Sequence, residues 1–327
     1  MSTFVSDLYG VNTRVEGFED ITVGWETRII AFKLLSIGEE PLDLVVRIYS
    51  GSDGSRKTEW EFNVMYRLGA ASYPVPRVYA YESSGETLGA PFLIMERIMG
   101  TVLWDVLFSS PREKYGEVLA LNTRLMVQLH DLPPAKVLPG IKRAKTRRRI
   151  LDRIQKERQE LDGYDLKAPF EPLISWLTDS VETLTEYPTC LIHQDLHPRN
   201  ILLRPDGSPA VIDWGACTLG DFREDLSWTG LLASTFIDES LKWEIYDSYK
   251  LASQCLFQDL PYFEAYAGLR RLADAAVSFK AGATARGMRP EAIKEMERNR
   301  LHYAKVLKAV TEIIDVKLQE IAQLLAV

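Results

Sequence analysis

One stretch of ten residues, His193 to Leu202 (HQDLHPRNIL), constrains this chain more than any other feature of it. Within the stretch, Asp195 precedes Asn200 by five residues. Asp213 follows thirteen residues after Asn200, directly behind the apolar pair Val211 and Ile212. An Asp that can accept a proton, an Asn that can hold a metal and a second Asp at a strand end are groups that phosphoryl transfer uses. The spacing therefore predicts a phosphoryl-transfer site.

Composition narrows the class of protein. At 327 residues the chain is too long for one minimal core, so we expect one large domain or two lobes. Hydrophobic residues make up 46% and charged residues 26%, as in ordinary globular proteins. The net charge of −7 argues against nucleic-acid binding, because neutralising phosphates takes clustered Lys and Arg. That charge suits a cationic substrate, and it equally suits plain solubility.

Three features indicate the cellular compartment. Cys190, Cys217 and Cys255 show no CxxC spacing, so we predict neither a disulfide framework nor a zinc site. The N-terminal MSTFVSDLYG lacks the basic region and apolar core of an export signal. No uncharged apolar run approaches the ~20 residues that span a bilayer. We therefore expect a cytoplasmic protein that does not bind membranes.

The first hundred residues predict a small, mostly antiparallel sheet and one helix, from their β-branched residues and their Gly and Pro punctuation. The predicted strands are residues 18–23, 28–35, 44–49, 77–81 and 91–98, and the predicted helix is 56–68. After Met99 and Gly100 the pattern becomes helical. The predicted helices are 101–108, 113–132, 147–161, 172–185 and most of 225–327, with short β segments at 189–192, 201–204 and 210–213. The predicted domains are therefore residues 1–98, with a linker at 95–100, and residues 99–327.

The motifs HQDLHPRNIL and VIDWG resemble those of the aminoglycoside phosphotransferase and choline kinase superfamily, whose fold is protein-kinase-like. The strand with Arg47, the linker PFLIMERIMG and the segment GDFREDL follow in the family's order, so the resemblance covers nearly the whole chain. It implies a two-lobed α+β fold with a small antiparallel-sheet N-lobe and a larger, mostly helical C-lobe. It also implies phosphorylation of a small-molecule hydroxyl by ATP, with GTP as the alternative.

The catalytic loop is predicted at residues 193–200 and the metal-binding segment at 213–215. Asp195 is the candidate base, because a carboxylate can orient the acceptor hydroxyl and receive its proton late in the reaction. A purely positional role for Asp195 stays open. Asn200 and Asp213 are the candidate Mg²⁺ ligands, since Mg²⁺ keeps waters and phosphate oxygens and needs few protein ligands.

The resemblance also predicts the nucleotide site. Arg47 would hold the α- and β-phosphates, oriented by Glu61 on the following helix, with Glu59 as the alternative partner. Gly24 would form part of a phosphate-binding turn. The backbone around Glu96 would read the adenine edge, and an apolar wall is expected from Met95 and Ile98.

Four further residues lie in or near the two motifs. By resemblance, His193 braces the segment that carries Asp213, and Asp225 ties the activation region to the helices behind it. Gln194 and Arg199 stand where the family often has Gly. We expect Arg199 on the surface, with a phosphate contact as the alternative.

The sequence alone leaves four questions open. The basic segment 142–149 is interpreted as a solvated helix face, with an anion site as the alternative. The acceptor could be an aminoglycoside, an amino alcohol such as choline, a sugar, an amino acid or a macrolide, and the chain could be a monomer or a homodimer. A nucleotide-binding scaffold or pseudokinase without transfer activity is the alternative function.

Overall fold

The computed structural model describes residues 13–21, 27–36, 40–51, 53–142, 145–282, 288 and 292–327. These residues form two compact units. Unit 1 consists of the described residues up to Val102, the segment Leu202–Gly215 and Met288. Unit 2 consists of the remaining described residues. A domain boundary between residues 98 and 99 stays a prediction.

Unit 1 is built on a five-stranded sheet whose order is β1-β2-β3-β5-β4, with every neighbouring pair antiparallel. The strands are β1 Thr13–Ile21, β2 Thr27–Ser36, β3 Leu42–Tyr49, β4 Val78–Glu82 and β5 Phe92–Glu96. One core cluster joins Phe32, Leu44 and Ile94 from three neighbouring strands, and burial of such side chains drives sheet packing. The predicted antiparallel sheet is confirmed.

Helix α1, Gly54–Ala70, follows β3 in unit 1. Its buried residues include Thr58, Glu61, Val64, Met65 and Leu68, which recur every three or four positions along one helix face. A carboxylate therefore lies in the middle of a mostly apolar face. Since a buried charge needs a partner, Glu61 must be paired within the unit.

Two short strands from distant parts of the chain also meet in unit 1. Strand β6, Thr101–Val102, pairs with β8, Ile201–Leu203, which in turn neighbours β9, Pro209–Val211. Gly100, just before β6, passes so close to β8 that a Cβ atom there would overlap the carbonyl oxygen of Leu203. Only glycine permits this approach of two backbones.

Gly100→Ala should therefore destabilise the protein by about 2 kcal/mol, because the Leu203 backbone must shift to make room. Urea unfolding would measure the loss. Gly163→Ala is the matched control, since a Cβ atom at Gly163 meets no atom within 4 Å. Equal stability of the two variants would contradict the predicted clash.

Unit 2 is mostly helical, which confirms the prediction for this part of the chain. Its helices are α2 Leu103–Ser109, α3 Tyr115–Asp131, α4 Pro134–Val137, α5 Thr146–Gly163, α6 Lys167–Ser180, α7 Phe222–Phe236, α8 Leu241–Ser253, α9 Leu260–Ala281, α10 Ala292–Arg298, α11 Arg300–Ile314 and α12 Gln319–Leu325. A short antiparallel pair, β7 Cys190–Ile192 and β10 Thr218–Gly220, lies among them. None of the helices that the structure describes is long and apolar enough to cross a membrane.

The predicted helix 172–185 is wrong in its bounds. Helix α6 begins five residues earlier, at Lys167, and contains Pro172 in its interior. Phe170, Leu173 and Leu177 are buried along one face, and this burial outweighs the backbone hydrogen bond that a proline removes.

The basic segment is not simply a solvated face. Arg148 is exposed and pairs with Asp152, as that interpretation requires. Arg147, however, donates from Nε to the carbonyl oxygen of Leu184 at 3.2 Å, and Arg149 donates to that of Leu219 at 3.3 Å. These two arginines attach the start of α5 to the segments around Leu184 and Leu219 of the same chain. Their role is therefore structural.

Candidate active site

In unit 1 the side chain of Arg47 is the centre of a polar cluster. It projects from β3 and is only 14% exposed. Its Nη1 donates to Oε1 of Glu61 at 2.9 Å, its Nη2 to Oδ1 of Asp213 at 2.8 Å, and its Nε to Oγ1 of Thr27 at 3.1 Å. Thus three predicted site residues meet here. Glu59, the alternative partner, is exposed.

Glu61 is held more tightly than the sequence suggests. Besides the bond from Arg47, its carboxylate accepts the Tyr49 hydroxyl at 2.6 Å and the Trp214 N–H at 3.3 Å. Burial raises the pKa of Glu61, and the Arg47 charge opposes that rise. The carboxylate is consequently a fixed point against which the Arg47 guanidinium is oriented.

Glu61→Gln should weaken Mg-ATP binding about tenfold, because it removes a charge-assisted hydrogen bond that orients Arg47. Isothermal titration calorimetry would measure the Kd. Glu59→Gln, on the exposed side of the same helix, is the matched control and should bind like the unsubstituted protein. Identical Kd values for both variants would contradict a role for Glu61.

Asp213 follows β9 and lies in the left-handed backbone region, with φ of +70°. Asp tolerates this conformation better than most residues. The next residue, Trp214, is fully buried, and its indole donates to the carbonyl oxygen of Val211 at 2.8 Å. This anchor leaves the Asp213 side chain 42% exposed, with Oδ1 on Arg47. Its Oδ2 can serve as a metal ligand.

Some backbone N–H groups of the predicted linker already form hydrogen bonds within unit 1. The N–H groups of Glu96 and Arg97 already donate to the carbonyl oxygens of Arg77 and Asp43, at 2.8 and 2.9 Å. The Glu96 carboxylate also pairs with Arg204. Met95 is 8% exposed within β5. Within the described chain, Ile98 is thus the first linker residue whose N–H carries no such bond, while Gly24 lies outside the described residues.

In unit 2 the loop 193–200, which is predicted to be catalytic, is anchored by Asp225 on the first turn of α7. This carboxylate is fully buried and accepts the N–H groups of His193 at 2.8 Å and Gln194 at 2.6 Å. His130 Nε2 lies 3.2 Å away. Burial alone would raise the pKa of Asp225, but these hydrogen bonds and the two histidines hold it below its usual value.

The helix that carries Asp225 starts with a capping box. The Asp221 side chain accepts the N–H of Arg223 at 3.0 Å, and the Glu224 side chain accepts that of Asp221 at 3.0 Å. Such caps stabilise a helix start by about 1 kcal/mol. The GDFREDL segment therefore fixes the position of Asp225 under the loop.

Gln194 has a backbone conformation that favours Gly, the residue that the family often has at this position. Its φ is +71°, a conformation that costs a side chain about 1 kcal/mol. Arg270 donates to its carbonyl oxygen at 3.2 Å. With its amide oxygen turned toward Arg153, Gln194 also accepts two bonds of 3.1 and 3.2 Å. These contacts offset the strain.

Asp195 is surrounded by donors. Its Oδ1 accepts the Trp228 indole N–H at 2.7 Å and lies 3.1 Å from His197 Nε2, while its Oδ2 accepts the Asn200 amide at 3.1 Å. The side chain remains 36% exposed. Burial opposes ionisation, but His197 and the other donors hold the pKa of Asp195 well below its usual value. Asp195 is therefore ionised at neutral pH.

Asn200 is oriented by the same contacts. Its Nδ2 donates to both the backbone oxygen and Oδ2 of Asp195, at 2.9 and 3.1 Å. The amide nitrogen is therefore used within the loop, and its carbonyl oxygen is left as the atom that could bind a metal.

The sequence did not single out Trp228. It comes three residues after Asp225, and residues three apart lie on the same helix face. That spacing is the signal that would have placed it beside the loop. Arg199 has an exposed guanidinium that stacks on Trp104 at 4.5 Å, in agreement with the expected surface position. Bracing by His193 stays a prediction; its Nδ1 accepts the Asp195 N–H at 3.2 Å.

The amino-acid sequence matches a family model and known proteins. A model of the phosphotransferase enzyme family matches residues 18–266. Among curated proteins, acyl-CoA dehydrogenase family member 11 of Rattus norvegicus is 26% identical over 187 residues. The match covers 54% of this chain and 23% of that protein, so the chain spans about a quarter of the relative's length.

Solved structures share the fold. A proposed aminoglycoside phosphotransferase from Ralstonia eutropha superposes with a TM-score of 0.65 at 18% identity, covering 94% of this chain and 97% of the other. The aminoglycoside phosphotransferase APH(4)-Ia, in complex with AMP-PNP and hygromycin B, gives 0.61 at 18% identity, covering 91% and 98%. The protein-kinase-like fold predicted from the two motifs is confirmed.

Proposed function

Because the chain belongs to the phosphotransferase enzyme family, we propose that it transfers the γ-phosphate of ATP to a hydroxyl group of a small molecule. The observation that carries this proposal is the state of Asp195. Its carboxylate is oriented by three donors, partly exposed and held ionised. A base for phosphoryl transfer has to meet all three requirements.

Asp195 acts on the acceptor in this proposal. The carboxylate accepts a hydrogen bond from the hydroxyl, orients its oxygen toward the γ-phosphorus and receives the proton as the new bond forms. The fixed loop backbone supports this role, because Asp225 holds the two N–H groups that precede Asp195. A base on a mobile loop would lose most of the orientation effect.

Nucleotide binding is assigned to unit 1. Arg47 would hold the α- and β-phosphates. Three contacts with described residues orient its guanidinium, and these use three of its five N–H donors, which leaves two for phosphate oxygens within the described part of the chain. Met95 and Ile98 would flank the base, with the linker backbone beside Glu96 reading its edge. ATP is the proposed donor and GTP the alternative.

Asn200 and Asp213 are proposed to bind Mg²⁺. The residues suit the ion, because each can offer one oxygen and both oxygens are the hard ligands that Mg²⁺ prefers. When bound, the ion would neutralise charge on the phosphate oxygens. The remaining Asp213 oxygen keeps its bond to Arg47.

A coupled assay of ADP release from Mg-ATP tests the function. The acceptor panel contains water alone, choline, homoserine, simple sugars, aminoglycosides and macrolides. We expect one class to raise the rate above the water reaction, and Asp213→Ala to abolish it. Asp206→Ala, an exposed carboxylate on the turn after β8, is the matched control.

Two results would contradict the proposal. One is the absence of Mg-ATP binding at millimolar concentration. The other is tight binding with no ADP release from any acceptor or from water, which would support a nucleotide-binding scaffold instead.

A further inference from the structure

Trp228 contacts the proposed base from the helix behind the loop. Its indole Nε1 donates to Oδ1 of Asp195 at 2.7 Å, the shortest of the bonds to that carboxylate. Trp228 is 9% exposed. Arg270 covers it, with Cζ 4.6 Å from the ring centroid, and also donates to the carbonyl oxygen of Gln194. The indole is therefore fixed relative to the loop.

His197 supplies a second donor to the same oxygen. Its Nδ1 accepts the N–H of Arg199 at 3.2 Å, so the ring N–H that can donate lies on Nε2. That Nε2 lies 3.1 Å from Oδ1 of Asp195. Two donors thus occupy Oδ1.

The other carboxylate oxygen is less crowded. Within the described chain, Oδ2 accepts only the Asn200 amide. A carboxylate oxygen can accept about two hydrogen bonds, so Oδ1 is filled and Oδ2 retains one position. A hydroxyl that approaches Asp195 finds this position open.

We propose that Trp228 is a positioning residue which, together with His197, occupies Oδ1 of Asp195 and so leaves Oδ2 to receive the acceptor proton. This inference rests on the proposed function. In the step, the acceptor O–H bond breaks and its proton moves to Oδ2. The acceptor oxygen bonds to the γ-phosphorus, and the bond from that phosphorus to the bridging oxygen breaks, which releases ADP.

The contact is tested first without any turnover. In ¹H–¹⁵N spectra of the ¹⁵N-labelled full chain, the indole signal missing from Trp228→Phe is assigned to Trp228. Asp195→Asn, which keeps every tryptophan, should shift that signal because it removes the charged acceptor. Asp247→Asn, an exposed carboxylate on α8, is the control and should leave it in place. An unshifted Trp228 signal in Asp195→Asn would overturn the proposal.

The role is tested by a double-mutant cycle on Mg-ATP turnover with water as acceptor. Trp228→Phe should lower kcat about 10- to 100-fold, since one hydrogen bond to a charged group is lost, and leave KM for ATP within about twofold. In the Asp195→Asn background the same substitution should change kcat less than about twofold. Trp243→Phe, an exposed ring on α8, is the control.

A purely structural role for Trp228 predicts a different pattern. The loss would then persist in the Asp195→Asn background and would accompany a lower melting temperature, and that result would overturn the inference. If the unsubstituted protein binds Mg-ATP but releases no ADP with water or with any acceptor of the panel, the proposed function fails. The shift of the indole signal then still reports whether Trp228 binds the Asp195 carboxylate.

Discussion

Asp195→Asn should lower turnover of Mg-ATP by about 10²–10⁴-fold, the range that a positioned general base contributes. The substitution keeps the size of the side chain. It removes the negative charge that accepts the hydroxyl proton and that Trp228 and His197 now stabilise. Initial rates of ADP release would measure the loss, with water or the acceptor found by the panel.

Two controls separate chemistry from folding in this experiment. Mg-ATP affinity of Asp195→Asn should stay within about threefold, because Arg47 and Glu61 are untouched. Asp247→Asn should keep full activity, since its side chain is 76% exposed. Full turnover by Asp195→Asn would show that Asp195 is not the base.

Asp225→Ala should cost about 3–5 kcal/mol of stability. The change removes the carboxylate that accepts two backbone N–H groups and lies beside His130. These buried donors lose their acceptor, and an unpaired buried polar group lowers the free energy of unfolding. Unfolding in urea would measure the free energy. Asp247→Ala, with its exposed side chain, should change it by less than about 0.5 kcal/mol. A small effect at Asp225 would mean that water replaces the carboxylate.

The stability that the Asp225 carboxylate contributes should decrease at low pH. The pKa of Asp225 is lower in the folded protein than in the unfolded chain, where Asp titrates near pH 3.9. Its ionised form therefore stabilises the fold fully above that pH, and the contribution is lost as pH falls through the folded pKa. The stability difference between the unsubstituted protein and Asp225→Ala should be constant above about pH 5 and shrink below about pH 4.

Part of the candidate site was predictable because its residues lie close together in the sequence. The spacing of five positions from Asp195 to Asn200 places both on one tight loop, where the Asn200 amide donates to the Asp195 backbone oxygen. The resemblance implied a carboxylate partner for Arg47 on the following helix, and Glu61 is that partner while Glu59 is exposed. Residues close in sequence have few ways to face one another.

Other features needed the folded chain. Arg147 and Arg149 look like part of a solvated basic run, yet they bond to the carbonyl oxygens of Leu184 and Leu219. Helix α6 starts at Lys167 because its buried face outweighs the proline within it. Burial against a distant segment is not visible in composition.

The sequence by itself determined the reaction class to propose, the antiparallel sheet and the identity of the candidate base. Only the tertiary structure decided what holds that base. Trp228 and Asp225 lie about thirty residues beyond Asp195, and Arg270 lies farther still, so their contacts depend on helix packing. The physical reason is that a hydrogen bond depends on direction as well as distance. Residue types and their spacing show which donors and acceptors the chain has, but only the packing of the helices decides which oxygen of Asp195 each donor reaches.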